Sequence, residues 1–273
     1  MGTLYLVATP IGNLEDITAR ALRVLREAAL IAAEDTRHTR RLLTHFDIHT
    51  PLTSYFEHNK LTKLDAILEA LAAGDVALVS DAGTPALSDP GYELVRAALA
   101  GGYPVVPVPG PSAVLAALVA SGLPTDSFVY LGFLPRKDAD RRRLLESLAA
   151  EPRTLVCFES PRRLLDALRD IEAALGDRPV AVARELTKRF EEIFRGPAGR
   201  ARAHFEARGV AGEITLVIAG AAGRSAEKWT ESRVRAELEG LVAAGLKRKD
   251  AAKQLALRSG WPARDIYNLP TGP

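Results

Sequence analysis

One cysteine, one methionine and two tryptophans in 273 residues exclude several chemistries at once. A lone Cys157 cannot form an intrachain disulfide, which is compatible with a reducing compartment. It lies in the apolar run TLVCF and reads as a buried structural thiol rather than a nucleophile. No uninterrupted apolar run reaches the ~18 residues a membrane helix needs. The opening MGTLYLVATPIGNLED has neither a basic n-region nor a long apolar h-region. The expectation is a soluble cytoplasmic protein. Neither sign of charge dominates: the formal net charge is +2, and a polyanionic partner would need a local basic face rather than a basic total. Missing too are G-x-G-x-x-G, G-x-x-x-x-G-K-[ST] and G-x-S-x-G, which removes the dinucleotide fingerprint, the P-loop and the α/β-hydrolase elbow. His38, His45, His49 and His58 crowd one region with Asp35, Asp47 and Glu57, but their spacing fits no metal-ligand pattern, and they read as polar surface histidines.

What is present is ordinarily globular, 47% hydrophobic and 26% charged, so burial offsets chain entropy over most of the length. Short β-branched or apolar runs alternate with longer segments of helical period, the pattern of βαβ units around a largely parallel sheet. Strands are expected at TLYLVA, ALIAA, PLTSY, VALVS and PVVPV, with helices at 17–29, 37–45, 60–73 and 92–100. VPVPGPS then leads into an apolar helix at 113–120, with Ser112 as its N-cap. Beyond the linker SGLPTDS come the strands FVYLGF, TLVCF, PVAVAREL, EEIFRG and EITLVIAG, with helices at 139–149, 162–175 and 198–207. After GAAGRSAE the tail reads as short helices at 231–244, 249–259 and 263–267, too small for a robust core and expected to dock on a neighbour or a partner subunit. The expected division is 1–120, 121–222 and 223–273: two α/β domains and a small helical extension.

Three Gly- and Pro-containing loops follow strands: ATPIGNLED, SDAGTPALSDPG and PGPSAV. In an open α/β sheet, ligands sit beyond the carboxyl ends of the strands, where glycine lets backbone N–H groups approach. Three such loops imply a binding crevice; the competing reading is that Pro and Gly merely build turns.

The motifs ATPIGNLEDIT, AAEDTRHTRRLL, SYFEHN, VALVSDAGTPALSDPGYELV, PVVPVPGPSAVLAAL, GFLPRK, CFESPRRLL and ARELTKRFEEIFRG occur in order over about the first 220 residues. Together they resemble the 16S ribosomal RNA (cytidine 2′-O)-methyltransferases, a group within the tetrapyrrole methylase superfamily. The resemblance implies two α/β/α domains with a small helical C-terminal extension, S-adenosylmethionine held between the domains, a homodimer, and methylation of a cytidine ribose at the decoding centre of the small ribosomal subunit. It also implies that the long loop after VALV is a cofactor cradle. By matching, Pro10, Asp81, Gly83, Thr84, Leu87, Ser112 and Ala113 line the first-domain wall, and Phe158, Leu186 and Glu213 the second. Related methylases often carry Gly-Asp-Pro where this chain has Gly83-Thr84-Pro85, so the carboxylate's role falls to Asp81, Thr84 or Asp89.

A ribose hydroxyl is a weak nucleophile and needs a base or a nearby cation. The candidates are Glu34, Asp35 or Glu57 as base, with Arg37 orienting a phosphate or carboxylate. Asp35 and Arg37 also fit a helix-start carboxylate and a surface arginine, and Glu159 and Glu185 fit structural ion pairs with neighbouring arginines. Arg136, Lys137, Arg141, Arg142 and Arg162 are expected to contact RNA phosphates. No metal is expected. The rival readings are a methylase of the same fold acting on a porphyrin-like ring or a protein side chain, and a non-catalytic S-adenosylmethionine sensor or ribosome-assembly scaffold.

Overall fold

The computed structural model describes residues 2–221 and 229–270. Two compact units fall within it, one in Met1–Ala149 with Arg153–Ala219 and the other in Ala150–Pro152 with Gly220–Pro273. The boundary expected at 222/223 lies outside the described residues.

The larger unit holds two five-stranded sheets. The first comprises β1 (Leu4–Val7), β2 (Leu30–Ala33), β3 (Leu52–Ser54), β4 (Val76–Val79) and β5 (Val105–Val108), in the order β3-β2-β4-β1-β5. Every pairing in it is parallel. β4, read as VALV, is buried at every residue, as expected for an inner strand covered on both faces. One face packs on α1 (Ala19–Glu27) and α2 (Thr36–His45) through Val24, Leu25 and Leu43. The other packs on α3 (Lys60–Ala73) and α4 (Tyr92–Ala100) through Ile67, Leu71 and Leu94. Side-chain caps fix where α1 and α2 begin: Thr18 accepts from the Ala21 N–H at 3.1 Å, and Asp35 from the Arg37 N–H at 2.8 Å.

The second sheet corrects the expectation of a largely parallel arrangement. It orders β6 (Phe128–Phe133), β7 (Thr154–Glu159), β8 (Pro179–Arg184), β9 (Glu192–Pro197) and β10 (Ile214–Ile218) as β6-β7-β10-β8-β9. Only β6 and β7 pair in parallel; the other three pairings are antiparallel. The loop from β8 to β9 holds no crossover helix, so the chain reverses directly and the two strands must run oppositely. Its outer face packs on α6 (Asp138–Ser147), α7 (Leu164–Leu175) and α8 (Ala198–Arg208) through Leu145, Leu168 and Phe205. Cys157 is fully buried in this core, and burial pushes its thiol far above the usual value, as a structural role requires.

The inner face of this sheet is covered by α5 (Ala113–Ala120), which continues the first sheet in sequence. Val114, Ala117 and Leu118 pack on Val156, Ala181 and Val217. Ser112 caps its start, and Arg195 of β9 holds its end, donating to the Ala120 carbonyl at 2.9 and 2.6 Å.

In the smaller unit, α9 (Glu231–Ala243), α10 (Arg248–Ser259) and α11 (Ala263–Tyr267) close over a core of their own that includes Val234, Leu238, Leu255 and Ile266. Trp261 donates its indole N–H to the Trp229 carbonyl at 2.7 Å, and Arg233 lies 4.1 Å from the Trp229 ring centre. Among the described residues no helix is long and apolar enough to cross a membrane.

Candidate functional site

A cavity of about 400 Å³ opens where loops leaving the first sheet face β7, β8 and β10 of the second. That volume lies in the range of roughly 300–1,000 Å³ usual for small-molecule sites. The loops after β1 and β4 are tied to each other: Thr9 and Gly83 exchange N–H···O bonds of 2.9 and 3.0 Å. Gly83 has φ +80°, and a Cβ there would still find 3.4 Å to its nearest neighbour, so it is the backbone conformation that asks for glycine. Ala86 and Ser88 also sit at φ +67°, without glycine's freedom. Each costs about 1–2 kcal/mol, which the surrounding contacts must offset. Part of that support is visible: the Ser88 hydroxyl lies 2.7 Å from the Tyr130 hydroxyl of β6. The shape of the 80–91 loop is therefore imposed rather than relaxed.

One wall is acidic. Glu34, Asp81 and Asp89 all line the cavity. The Asp81 N–H donates to Glu34 Oε2 at 3.4 Å, and the Asp35 N–H donates to Asp81 Oδ1 at 2.9 Å. Burial, then the neighbouring Asp81 charge, raises the Glu34 pKa. Asp89 is pushed up to about 6 by burial and then by the charge of Glu34, against a hydrogen bond from Ser80. Part-buried carboxylates crowded on one wall create a negative potential that a cationic ligand relieves.

The facing wall is apolar and aromatic, with Phe133, Phe158, Ala183, Leu186 and Ile214. The register of β6 against β7 shifts between Tyr130 and Phe133, around Gly132 at φ +66°. The bulge leaves Phe133 57% exposed at the cavity with its ring centre 5.4 Å from that of Phe158. Glu159 is buried and accepts from Arg163 and from the Ser160 N–H, both at 2.6 Å, while its Oε2 has no partner. Glu185, at φ +53°, accepts from the Glu213 N–H at 2.9 Å, and Lys188 reaches Glu185 at 3.0 Å and Glu213 at 3.1 Å.

The structure brings together Asp81, Gly83, Thr84, Leu87, Ser112, Ala113, Phe158, Leu186 and Glu213 around this cavity, with Glu34 among them. Pro10 does not line it; its neighbour Ile11 does. Asp35 and Arg37 lie outside it, locked in a two-pronged ion pair of 3.1 and 2.7 Å that holds the Asp35 carboxyl well below its usual range. Glu57 also lies outside, paired with Lys60 at 2.8 Å. Arg136, Lys137, Arg142 and Arg162 are exposed. Arg141 is a correction: it is 1% exposed, held by Asp170 at 2.6 Å and Asp138 at 2.9 Å, and so lies out of reach of a phosphate. His38, His45, His49 and His58 are all exposed. Asp89, named from sequence only as one of three alternatives, has its pKa raised first by burial and then by the charge of Glu34, which comes from the end of another strand, so no local pattern marks it.

An acidic wall for a sulfonium or ammonium charge and an aromatic wall for a purine together fit S-adenosylmethionine. Residues 3–202 match the family Tetrapyrrole (Corrin/Porphyrin) Methylases. A ribosomal RNA small subunit methyltransferase I of Halalkalibacterium halodurans is 50% identical over 272 residues, covering 98% of this chain and 94% of its own. One from Synechocystis sp. is 50% identical over 271 residues, covering 98% and 97%. Among solved structures, a cobalt precorrin-4 methyltransferase superposes with a TM-score of 0.62 at 18% identity, covering 80% of this chain and 94% of its own. A Thermus thermophilus uroporphyrin-III C-methyltransferase in complex with S-adenosyl homocysteine gives 0.55 at 22%, covering 79% and 97%. These two share the fold. By its matched residues and its near full-length relatives, the chain belongs to the tetrapyrrole methylase family, among the ribosomal RNA small subunit methyltransferases I.

Proposed function

We propose that this chain is an S-adenosylmethionine-dependent methyltransferase that methylates the ribose 2′-hydroxyl of a cytidine in small-subunit ribosomal RNA. The observation that carries the reading is 50% identity to small-subunit rRNA methyltransferases along 98% of the chain. The cavity supports it independently, since its acidic and aromatic walls suit a cationic nucleoside.

S-adenosylmethionine supplies an electrophilic methyl group on a sulfonium. The 80–91 loop and the N-terminus of α5, which line the cavity, would hold the donor, and positioning of this kind can remove a large part of the barrier. Glu34 and Asp89 face the same cavity, and a carboxylate with a pKa of about 6 is well matched to accept a hydroxyl proton near neutral pH. Asp35 and Glu57 already hold other partners, so we assign the proton-accepting role to the Glu34–Asp89 pair. The exposed Arg136, Lys137, Arg142 and Arg162 are assigned to RNA phosphates. The apolar stripe of Leu115 and Val119 on α5, 53% and 73% exposed, supports a homodimer, which sedimentation would test.

Primer extension at limiting deoxynucleotide on isolated small subunits tests the reaction. A stop that requires both protein and S-adenosylmethionine is expected. Donor binding by calorimetry without any such stop would instead identify a sensor.

A further inference from the structure

We infer that the outer face of α2 is a second RNA phosphate-binding surface, on the opposite side of the cavity from Arg136 and Lys137. The inference rests on the proposed reaction and extends it to how the RNA is held. α2 starts at Thr36, two residues after the cavity-lining Glu34, so the helix leaves directly from the acidic rim. Its inner face buries Thr39, Leu42 and Leu43. Its outer face presents Arg37, Arg40, Arg41, Thr44 and His45 around one open depression of about 530 Å³. These positions follow the i, i+3, i+4, i+7, i+8 spacing of a single helical face.

The chemistry of that face is specific. Arg37 is neutralised by Asp35, but among the described residues no carboxylate pairs with Arg40 or Arg41. The depression is lined by guanidinium, hydroxyl and imidazole groups, with no acid and no large apolar side chain. Without a large apolar side chain the depression offers a protein partner no anchor to bury, and the apolar surface it has belongs to the stems of arginines whose charged heads face solvent. Planar guanidinium donors, by contrast, match phosphate oxygens two at a time.

The second basic surface is placed to complement it. Arg136 and Lys137 are exposed just beyond Phe133, which lines the aromatic wall. A strand held by α2 on one lobe and by 136–137 on the other runs across the cavity mouth and presents the intervening nucleotide to the acidic wall.

The test uses the full chain and purified small ribosomal subunits that lack the methyl group, with filter binding between roughly 50 and 200 mM salt. The variant Arg40→Ala/Arg41→Ala is expected to bind about tenfold more weakly at the low end and to lower the slope of log affinity against log salt by about 1.5, two phosphate contacts' worth. Donor affinity by calorimetry should stay unchanged. Arg40→Lys/Arg41→Lys should keep the slope with intermediate affinity, and it serves as the arm that preserves folding. A slope identical to that of the unaltered protein in the alanine variant, or equal loss in the lysine and alanine variants, overturns this surface and leaves the proposed reaction standing. An arginine-dependent slope without any methyl transfer keeps the surface and overturns the reaction; absence of binding by the unaltered protein overturns both.

Discussion

Replacing Asp89 by Asn should make the free protein more stable and its donor binding weaker. In the folded chain the Asp89 pKa is about 6, against a reference of 3.8. Below pH 4 the side chain is protonated in folded and unfolded chains alike and contributes nothing. Between pH 4 and 6 the folded state binds more protons than the unfolded one, so stability falls as pH rises. Above pH 6 the ionised group carries its full penalty, at most about 3 kcal/mol. Water at its part-exposed edge screens that, leaving about 1.5 kcal/mol. Asparagine fills the same space, keeps an oxygen to accept from Ser80 and abolishes the penalty. Urea unfolding across pH 4–8 should therefore give coincident stabilities at the acid end and a gap of about 1.5 kcal/mol in favour of the variant at pH 7 and above. Calorimetry at pH 7.5 should show S-adenosylmethionine binding weakened by about tenfold, or ~1.4 kcal/mol. In the unaltered protein, affinity should rise with pH through 6, because a cation favours the ionised carboxyl and its binding expels the proton. A stability gap that does not change with pH would refute the assignment of this acid to a crowded negative wall.

Arg141→Ala should cost about 3–5 kcal/mol, since it leaves Asp170 buried without its closest counter-charge; a loss below 1 kcal/mol in urea unfolding would contradict the structural role assigned to it. Gly83→Ala should destabilise by about 1–2 kcal/mol through the positive φ, because the added Cβ meets only ordinary contacts; thermal unfolding reads this, and an unchanged midpoint would mean that the loop relaxes freely. Thr84→Trp, at an exposed position on the cavity lining, should fill the cradle and abolish donor binding without loss of stability, and retained affinity in calorimetry would place the donor elsewhere.

Local pattern is enough to reveal the elements and the parallel course of the first sheet, and not enough to reveal the directions in the second. The unbroken VALV announces an inner strand, and Asp35 ahead of TRHTRRLL announces a capped helix, because both signals are written within a few residues. The antiparallel course of β8, β9 and β10 is not written that way: PVAVAREL and EITLVIAG would read the same in either orientation. Arg141 belongs to a basic run that looks solvated, and only α7, 29 residues on, supplies the Asp170 that buries it. The glycines and prolines of the loops imply a crevice with plain turns as the competing reading, and the cradle reading comes from the family resemblance, whereas the raised pKa of Asp89 depends on burial and then on Glu34 from the end of another strand. Chemistry assembled from distant segments leaves no short motif.

The placement of α5 constrains how the molecule can be taken apart and how it can open. By connectivity it completes the first half, yet its apolar side is sealed under the second sheet and its last carbonyl is clamped by Arg195. A cut within 121–127 would strip one fragment of its lid and leave the other carrying an oily helix with nothing beneath it. Separating the two halves would for the same reason expose Val114, Ala117 and Leu118 and break the bonds from Arg195 to the Ala120 carbonyl.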